Sequence, residues 1–141
     1  MILLDTDHLS VLKYDEHPRC RALRARMNAS EDPFFATTIV SAEEQMRGWL
    51  AKIHAAKDPE QQVAWYEQLA WLIEFLADWQ IIAFDQQAAV EFKGLKRLRL
   101  RIGTFDLKIA AIARIHDAVL LSGNHRDFGR VPGLQVESWI G

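Results

Sequence analysis

Short apolar runs alternate along this chain with longer segments that have helical spacing, and this alternation limits the fold most. The first run, Ile2 to Leu4, has three residues and is followed at once by an acid. Comparable runs occur at Pro33–Thr38, Gln80–Phe84, Ala118–Ser122 and Leu134–Trp139. Short apolar strands that helices separate are typical of a parallel sheet covered on both faces. We therefore predict one α/β domain over residues 1–141.

Local signals predict where several helices begin. Ser41 with Glu44 three residues later has the pattern of a capping box. Pro59 is expected in the first turn of a further helix, and Asp85 and Thr104 are predicted caps of two more. The segment after the fourth strand, residues 123–128, is predicted to be a loop.

The cysteine content and the first residues indicate a compartment. Cys20 is the only cysteine, which excludes an internal disulfide framework. The first ten residues lack the basic region and the apolar length of a signal peptide, and no stretch reaches the roughly 18 apolar residues of a membrane span. We expect a cytoplasmic protein that does not associate with a membrane.

Acidic and amide side chains fall where parallel strands are expected to end. Asp5 follows the first strand, Glu44 is expected in the first turn after the second, and Asp106 in the first turn of the helix before the fourth. Asn124 and Asp127 follow the fourth strand. Because ligands of open parallel sheets bind beyond the carboxyl ends of the strands, these residues are expected to converge.

A group of carboxylates suits a metal-dependent hydrolase. The charges repel one another unless a cation is present, and Mg²⁺ or Mn²⁺ prefers oxygen ligands. Such an ion activates water and neutralises charge on a phosphate, as phosphodiester hydrolysis requires. Singly, each acid also has an ordinary interpretation: a helix cap for Asp5 or Glu44, a helix-dipole partner for Asp106, a solvated loop acid for Asp127.

Four segments carry a family resemblance: ILLDTDHLS, TTIVSAEEQMRG, GTFDLKIAAIA and LLSGNHRDFGRVPGL. In this order they resemble the PIN-domain family, specifically the VapC-type toxins of toxin–antitoxin pairs. The resemblance implies a PIN-like (Rossmann-like) three-layer domain with a central, mostly parallel five-stranded sheet flanked by helices. It also implies a Mg²⁺-dependent endoribonuclease (Mn²⁺ as the other candidate ion) with an RNA substrate, an antitoxin partner and a homodimeric state.

The resemblance assigns the site residues one position at a time. Asp5 matches the family's first acid and Asp106 its third. Glu44 matches the second, because the family glutamate stands four residues before a glycine, here Gly48; Glu43 is its rival. The fourth position is assigned to Asp127, and Asn124 is its rival.

Two further residues are expected to support the site. Asn124 would contribute a polar oxygen beside Asp127. Asp7 stands where the family often has asparagine, and it either adds charge to the site or caps the next helix.

The net charge of −2 does not indicate a nucleic-acid binder, so the distribution of charge matters. A local basic patch precedes Asp106, and we expect it to bind RNA phosphates, with a solvated helix face as the alternative. Its cations, with one more beside the fourth acid, are Lys93, Lys96, Arg97, Arg99, Arg101 and Arg126. The five tryptophans are expected in the core or in interfaces rather than in base stacking.

Three other interpretations remain at this point. The chain could be a PIN nuclease of RNA processing outside toxin–antitoxin systems, or a non-catalytic PIN domain that binds RNA or protein. A flavodoxin-like or response-regulator-like domain would accommodate the early acid. It would leave the Asp106 segment and the NHRDF loop unexplained.

Overall fold

The computed structural model describes every residue from Met1 to Gly141, and its centre is a five-stranded sheet. All neighbouring strands pair in parallel, in the order β3-β2-β1-β4-β5. The strands are β1 (Ile2–Leu4), β2 (Phe35–Thr38), β3 (Ile81–Ile82), β4 (Val119–Leu121) and β5 (Gln135–Glu137). This confirms the predicted α/β class with a parallel sheet.

Helices connect the strands and cover both faces of the sheet. They are α1 (Thr6–Val11), α2 (Pro18–Ala29), α3 (Ile39–Ala55), α4 (Pro59–Ala77), α5 (Gln86–Arg97), α6 (Thr104–Ile115) and α7 (His125–Phe128). No helix combines the length and the apolar character that crossing a lipid bilayer requires.

Side chains of β1 alternate between two apolar cores, as the pleat of a strand requires. Leu3 packs in a core that also includes Leu95 of α5 and Ile109 of α6. Ile2 and Leu4 belong to a second core on the opposite face, together with residues of α1 and α2. Helical layers on both faces therefore hold the central strand, and the residue after it, in a fixed position.

Helices α3 and α4 form a hairpin with its own small core. Ala42 of α3 packs with Leu72 and Leu76 of α4. Asp58 caps α4 by accepting a hydrogen bond from the backbone of Gln61 at 3.0 Å, and a proline occupies the first turn as predicted. The hairpin extends from the end of β2, so its first turns lie at the carboxyl edge of the sheet.

The predicted capping box at Ser41 is wrong. Thr38, the last residue of β2, caps α3 by accepting a hydrogen bond from the Ser41 backbone at 3.0 Å, and Ser41 is wholly buried. The strand passes into the helix without a loop, so the extended residue at its end is the one placed to cap. Glu44 consequently lies in the second turn of α3 rather than the first.

Two other local predictions need correction. Gly103 is the residue before α6, and Thr104 is its first helical residue, with no side-chain cap. The segment predicted as a loop contains the short helix α7, capped by Asn124, whose side-chain oxygen accepts from the Asp127 backbone at 3.3 Å. A single helical turn is too short to show the apolar periodicity by which helices are recognised in a sequence.

Candidate active site

Asp5 lies at the centre of the carboxyl edge of the sheet, directly after β1. From β1 the chain adds β2 and β3 on one side of β1, and then β4 and β5 on its other side. Asp5, at the end of β1, is therefore at a topological switch point of the sheet. Its backbone N–H donates to the Leu121 carbonyl at 3.0 Å, which continues the pairing of β1 with β4. Ligand sites of open α/β sheets form at such points.

Asp5 is only 8% exposed, and its carboxyl group accepts two hydrogen bonds. The backbone of Thr6 donates to Oδ1 at 2.8 Å, and the hydroxyl of Ser122 donates to Oδ2 at 2.9 Å. Burial raises the pKa of Asp5 to about 6, and the neighbouring charges of Asp7 and Asp106 act in the same direction. Sequence reasoning did not identify Ser122, although it directly follows the fourth apolar run.

Glu44 faces this site from α3. It accepts a hydrogen bond from the Thr6 hydroxyl at 3.1 Å. Partial burial raises the pKa of Glu44, and the charges of Asp5 and Glu43 add to the effect. Glu43 itself is exposed, and its Oε2 lies 3.8 Å from Nη1 of Arg47, one turn further along α3. Its carboxyl group is therefore directed away from Thr6.

Asn124 joins the two remaining acids. Its amide nitrogen lies 3.2 Å from Oδ2 of Asp106 and 3.1 Å from Oδ2 of Asp127. Partial burial raises the pKa of Asp106, and the charges of Glu44 and Asp127 contribute. The Asn124 oxygen caps α7 and the N–H₂ group faces the carboxylates, so the expected contribution of that oxygen to the site stays a prediction.

Asp7 is close to the site but holds the backbone around it. Oδ2 accepts from the Gly123 backbone at 2.7 Å, and Oδ1 lies 2.8 Å from Nδ1 of the buried His8. Nε2 of His8 accepts from the Trp139 backbone at 3.0 Å, so the proton of this imidazole is on Nδ1. Although burial opposes it, hydrogen bonds from His8 and Gly123 lower the pKa of Asp7.

The donor set suits a hard cation that keeps part of its water. The pKa values of Asp5, Glu44 and Asp106 are each raised in part by the charge of another of these three acids, and all four site acids offer oxygen. No three acidic, imidazole or thiol side chains are arranged to hold one ion directly. Mg²⁺ usually retains several waters and binds through one or two carboxylates, so the residues present fit a hydrated Mg²⁺.

The predicted basic patch is exposed on α5 and the segment after it. Lys93, Lys96 and Arg97 lie in the last turns of α5, and Arg99 and Arg101 follow with left-handed φ angles of 53° and 60°. The patch remains a prediction as an RNA-binding surface, as does the exposed Arg126 on α7.

Arg130 is a further cation at this edge that sequence reasoning did not identify. It donates to the Arg101 carbonyl at 3.1 Å and lies 3.9 Å from Oδ1 of Asp127. It therefore links the basic segment to the fourth acid. In the sequence, the spacing of three residues between Asp127 and Arg130 indicates this contact.

Comparison with known proteins identifies relatives of this chain. Residues 2–134 match the family profile of the PIN domain. The tRNA(fMet)-specific endonuclease VapC of Salmonella typhimurium is 30% identical over 84 residues, which are 57% of this chain and 64% of that protein. Ribonuclease VapC2 of Haemophilus influenzae is 33% identical over 86 residues, 58% of this chain and 61% of that protein. The alignments thus span less than two thirds of these relatives.

Solved structures share the whole fold. VapBC2 from Rickettsia felis, bound to a DNA fragment from its promoter, has a TM-score of 0.71 and 24% identity, with 99% of each chain covered. VapBC-1 from nontypeable Haemophilus influenzae has a TM-score of 0.73 and 23% identity over the full length of both chains. Since the family profile covers nearly the whole sequence and the parallel sheet carries the acids at its carboxyl edge, the chain belongs to the PIN-domain family.

Proposed function

We propose that this chain is a Mg²⁺-dependent endoribonuclease that hydrolyses RNA phosphodiester bonds. The observation that carries the proposal is the convergence of Asp5, Glu44 and Asp106, whose pKa values are all raised, at the switch point of the sheet. Buried carboxyl groups that disfavour one another's charge are expected at a site that receives a cation. The names of the VapC relatives, an endonuclease and a ribonuclease, support the same activity.

The chain's residues divide into ligands and supports. Asp5 and Asp106 are the proposed ligands of the ion, directly or through water, while Glu44 and Asp127 position water or a second ion. When bound, Mg²⁺ supplies the charge that keeps these acids ionised and stabilises negative charge on the phosphate. The Thr6 and Ser122 hydroxyls orient Glu44 and Asp5, and the Asn124 amide keeps Asp106 and Asp127 together despite their repulsion.

A cleavage assay tests this proposal. Labelled RNA is incubated with purified protein in Mg²⁺, in Mn²⁺ and in a chelator, and Asp106→Asn is compared with the control Asp78→Asn at an exposed acid. We expect cleavage with either ion, none in chelator, and a loss of about 10²-fold or more for Asp106→Asn only. Full activity of folded Asp106→Asn would refute the assignment, and RNA binding without cleavage by the unchanged chain would show a non-catalytic PIN domain.

We further propose that the chain is the toxin of a VapBC-type pair, acting in the cytoplasm as a homodimer. The VapC relatives and the VapBC structures support this partner class. An apolar groove between α3, α4 and β3, lined by Ile39, Met46, Leu50, Ile73 and Ile81, offers a surface for a protein partner. Expression should arrest growth, and a small protein encoded beside the gene should relieve the arrest. Growth unaffected by expression of an active nuclease would favour a role in RNA processing instead.

A further inference from the structure

An open cleft leads away from the acidic site along α3. It has a volume of about 290 Å³ and begins between Thr6 and Glu44, the pair that joins α1 to α3. Its remaining lining residues are Ser10, Gln45, Gly48, Trp49 and Lys52. A second open pocket, which includes Trp65, adjoins it at Lys52, and we call the combined space the α3 cleft. Whatever occupies the α3 cleft lies next to the acids.

Two tryptophans form the far wall of the α3 cleft. Trp49 of α3 and Trp65 of α4 are stacked, with ring centroids 6.0 Å apart and planes at 24°. Trp49 also packs on the hairpin core, whereas Trp65 belongs to none of the cores. Of the tryptophans expected in the core or in interfaces, Trp49 packs on the hairpin core, whereas Trp65 packs on Trp49 outside the three cores.

Two lysines lie over these rings. Lys52 is 5.1 Å from the Trp49 centroid and 4.6 Å from the Trp65 centroid, and Lys13 is 5.3 Å from Trp49. Neither lysine forms an ion pair with an acid of the chain. Lys52 lines the cleft, which therefore combines aromatic side chains with a positive charge that no carboxylate of the chain neutralises.

Gly48 keeps the floor of the cleft open between Glu44 and Trp49. A Cβ atom built at Gly48 would meet no atom within 4 Å, so no packing contact in the chain requires glycine there. Glycine in the middle of a helix is unfavourable for stability. Beside it, the buried amide nitrogen of Gln45 has no acceptor within the chain.

We propose that the α3 cleft binds single-stranded RNA beside the scissile phosphate, with a base stacked on the Trp49–Trp65 pair and a phosphate bound by Lys52. Aromatic platforms combined with cations are the general means of binding single strands, because every base has a face that stacks. Lys52 is exposed, and its contact with the rings is weaker than base stacking, so it can move to a phosphate. This inference rests on the proposed nuclease function and adds the substrate path to it.

The test measures RNA affinity without cleavage. In an Asp106→Asn background, Trp65→Leu and Lys52→Gln are compared with the controls Tyr66→Leu and Lys57→Gln, which change exposed neighbours outside the cleft. The probe is a short labelled single-stranded RNA of mixed sequence, followed by fluorescence anisotropy. We expect about tenfold weaker binding for Trp65→Leu, a smaller loss for Lys52→Gln, and changes within about twofold for the controls.

A second variant blocks the cleft while every RNA-binding side chain stays in place. Gly48→Leu places a side chain in open space and introduces a better helix former, so the fold is expected to persist. Binding should again weaken by about tenfold. Circular dichroism and thermal unfolding of each variant verify that the protein is folded.

A ribose-phosphate oligomer without bases separates stacking from charge. It should bind the parent protein more weakly than RNA does, and Trp65→Leu should cause no further loss. Equal losses on both probes would overturn the stacking, and unchanged RNA affinity in Trp65→Leu and Gly48→Leu would overturn the inference. Failure of the nuclease proposal would be seen separately, as absence of cleavage by the unchanged chain in Mg²⁺.

Discussion

At the scale of single residues, the surroundings give Asp5 and Asp7 opposite properties although they are two positions apart. Asp5 is buried at the end of β1, and its carboxyl group lies among other acids, so its pKa is raised to about 6. Asp7 is anchored by His8 and the Gly123 backbone, which lower its pKa. Asp5 therefore disfavours its own negative charge, whereas the charged Asp7 carboxylate fixes the segment after β4.

The raised pKa of Asp5 predicts a pH-dependent cost to the metal-free fold. The folded state binds this proton more tightly than the unfolded chain, so the contribution of Asp5 to stability is largest below about pH 4 and falls as the pH rises to about 6. The difference between 3.8 and about 6 corresponds to about 3 kcal/mol as an upper bound. We expect Asp5→Asn to raise the free energy of unfolding at pH 7 by about 1–3 kcal/mol, measured with urea in chelator.

The pH series supplies the control for this prediction. The two proteins should be nearly equally stable at about pH 3, where Asp5 is protonated, and diverge between about pH 4 and 6. Asp78→Asn, at an exposed acid, should follow the parent protein at every pH. A constant difference across the series would contradict the proposed titration of Asp5.

The site acids were predictable at this scale, and their partners were not. In the sequence, Asp5 directly follows an apolar strand and Asp106 lies in the first turn of a helix. Both positions fall at the carboxyl edge of a parallel sheet, so both acids could be identified as site residues. Ser122 is 117 positions from the acid to which it donates, and Thr6 is 38 positions from Glu44. No local pattern links residues so far apart.

At the scale of elements, Thr38 determines how α3 approaches the site. It ends β2, caps α3 and is wholly buried, and its hydroxyl also donates to the Ser41 hydroxyl at 3.0 Å. Because α3 begins directly at the strand, Glu44 is positioned relative to Asp5 by the sheet rather than by a loop.

Removing this cap should destabilise the protein more than removing an exposed one. We expect Thr38→Ala to lower the free energy of unfolding by about 2 kcal/mol, because it leaves a buried backbone N–H without an acceptor. Asp58→Ala, which removes the exposed cap of α4, should cost about 1 kcal/mol. Chemical denaturation measures both, and Thr38→Ser should retain most of the stability. Equal costs at the two caps would show that the burial of Thr38 adds nothing.

At the scale of the whole molecule, a net charge of −2 conceals separate acidic and basic regions. The carboxylates converge at the centre of the sheet edge, while five cations are exposed on α5 and the segment that follows it. Under the proposed nuclease function, the cations outside the acidic pocket attract the RNA polyanion to a site that would otherwise repel it.

The basic patch predicts a change in the salt dependence of RNA binding. Reversing two cations, Arg97→Glu with Arg99→Glu, should weaken RNA binding at low salt. It should also reduce the slope of log affinity against log salt concentration by about 1.4, because each phosphate that the protein no longer neutralises accounts for about 0.7. Anisotropy titrations at several salt concentrations measure this slope. The matched control, Arg21→Glu with Arg24→Glu on α2, makes the same change in net charge outside the basic patch. Equal slopes for the two double variants would assign the effect to net charge alone.

The sequence by itself determined the alternation of strands and helices and the positions of the acids at the strand ends. Both are set by local properties, namely apolar periodicity and the position of a polar residue at the end of a buried run. Tertiary structure alone decided that Glu44 faces Thr6 of α1, that the Asn124 amide nitrogen faces Asp106, and that Trp65 meets Trp49. These outcomes depend on hydrogen bonds and packing that form only when distant segments are brought together by folding.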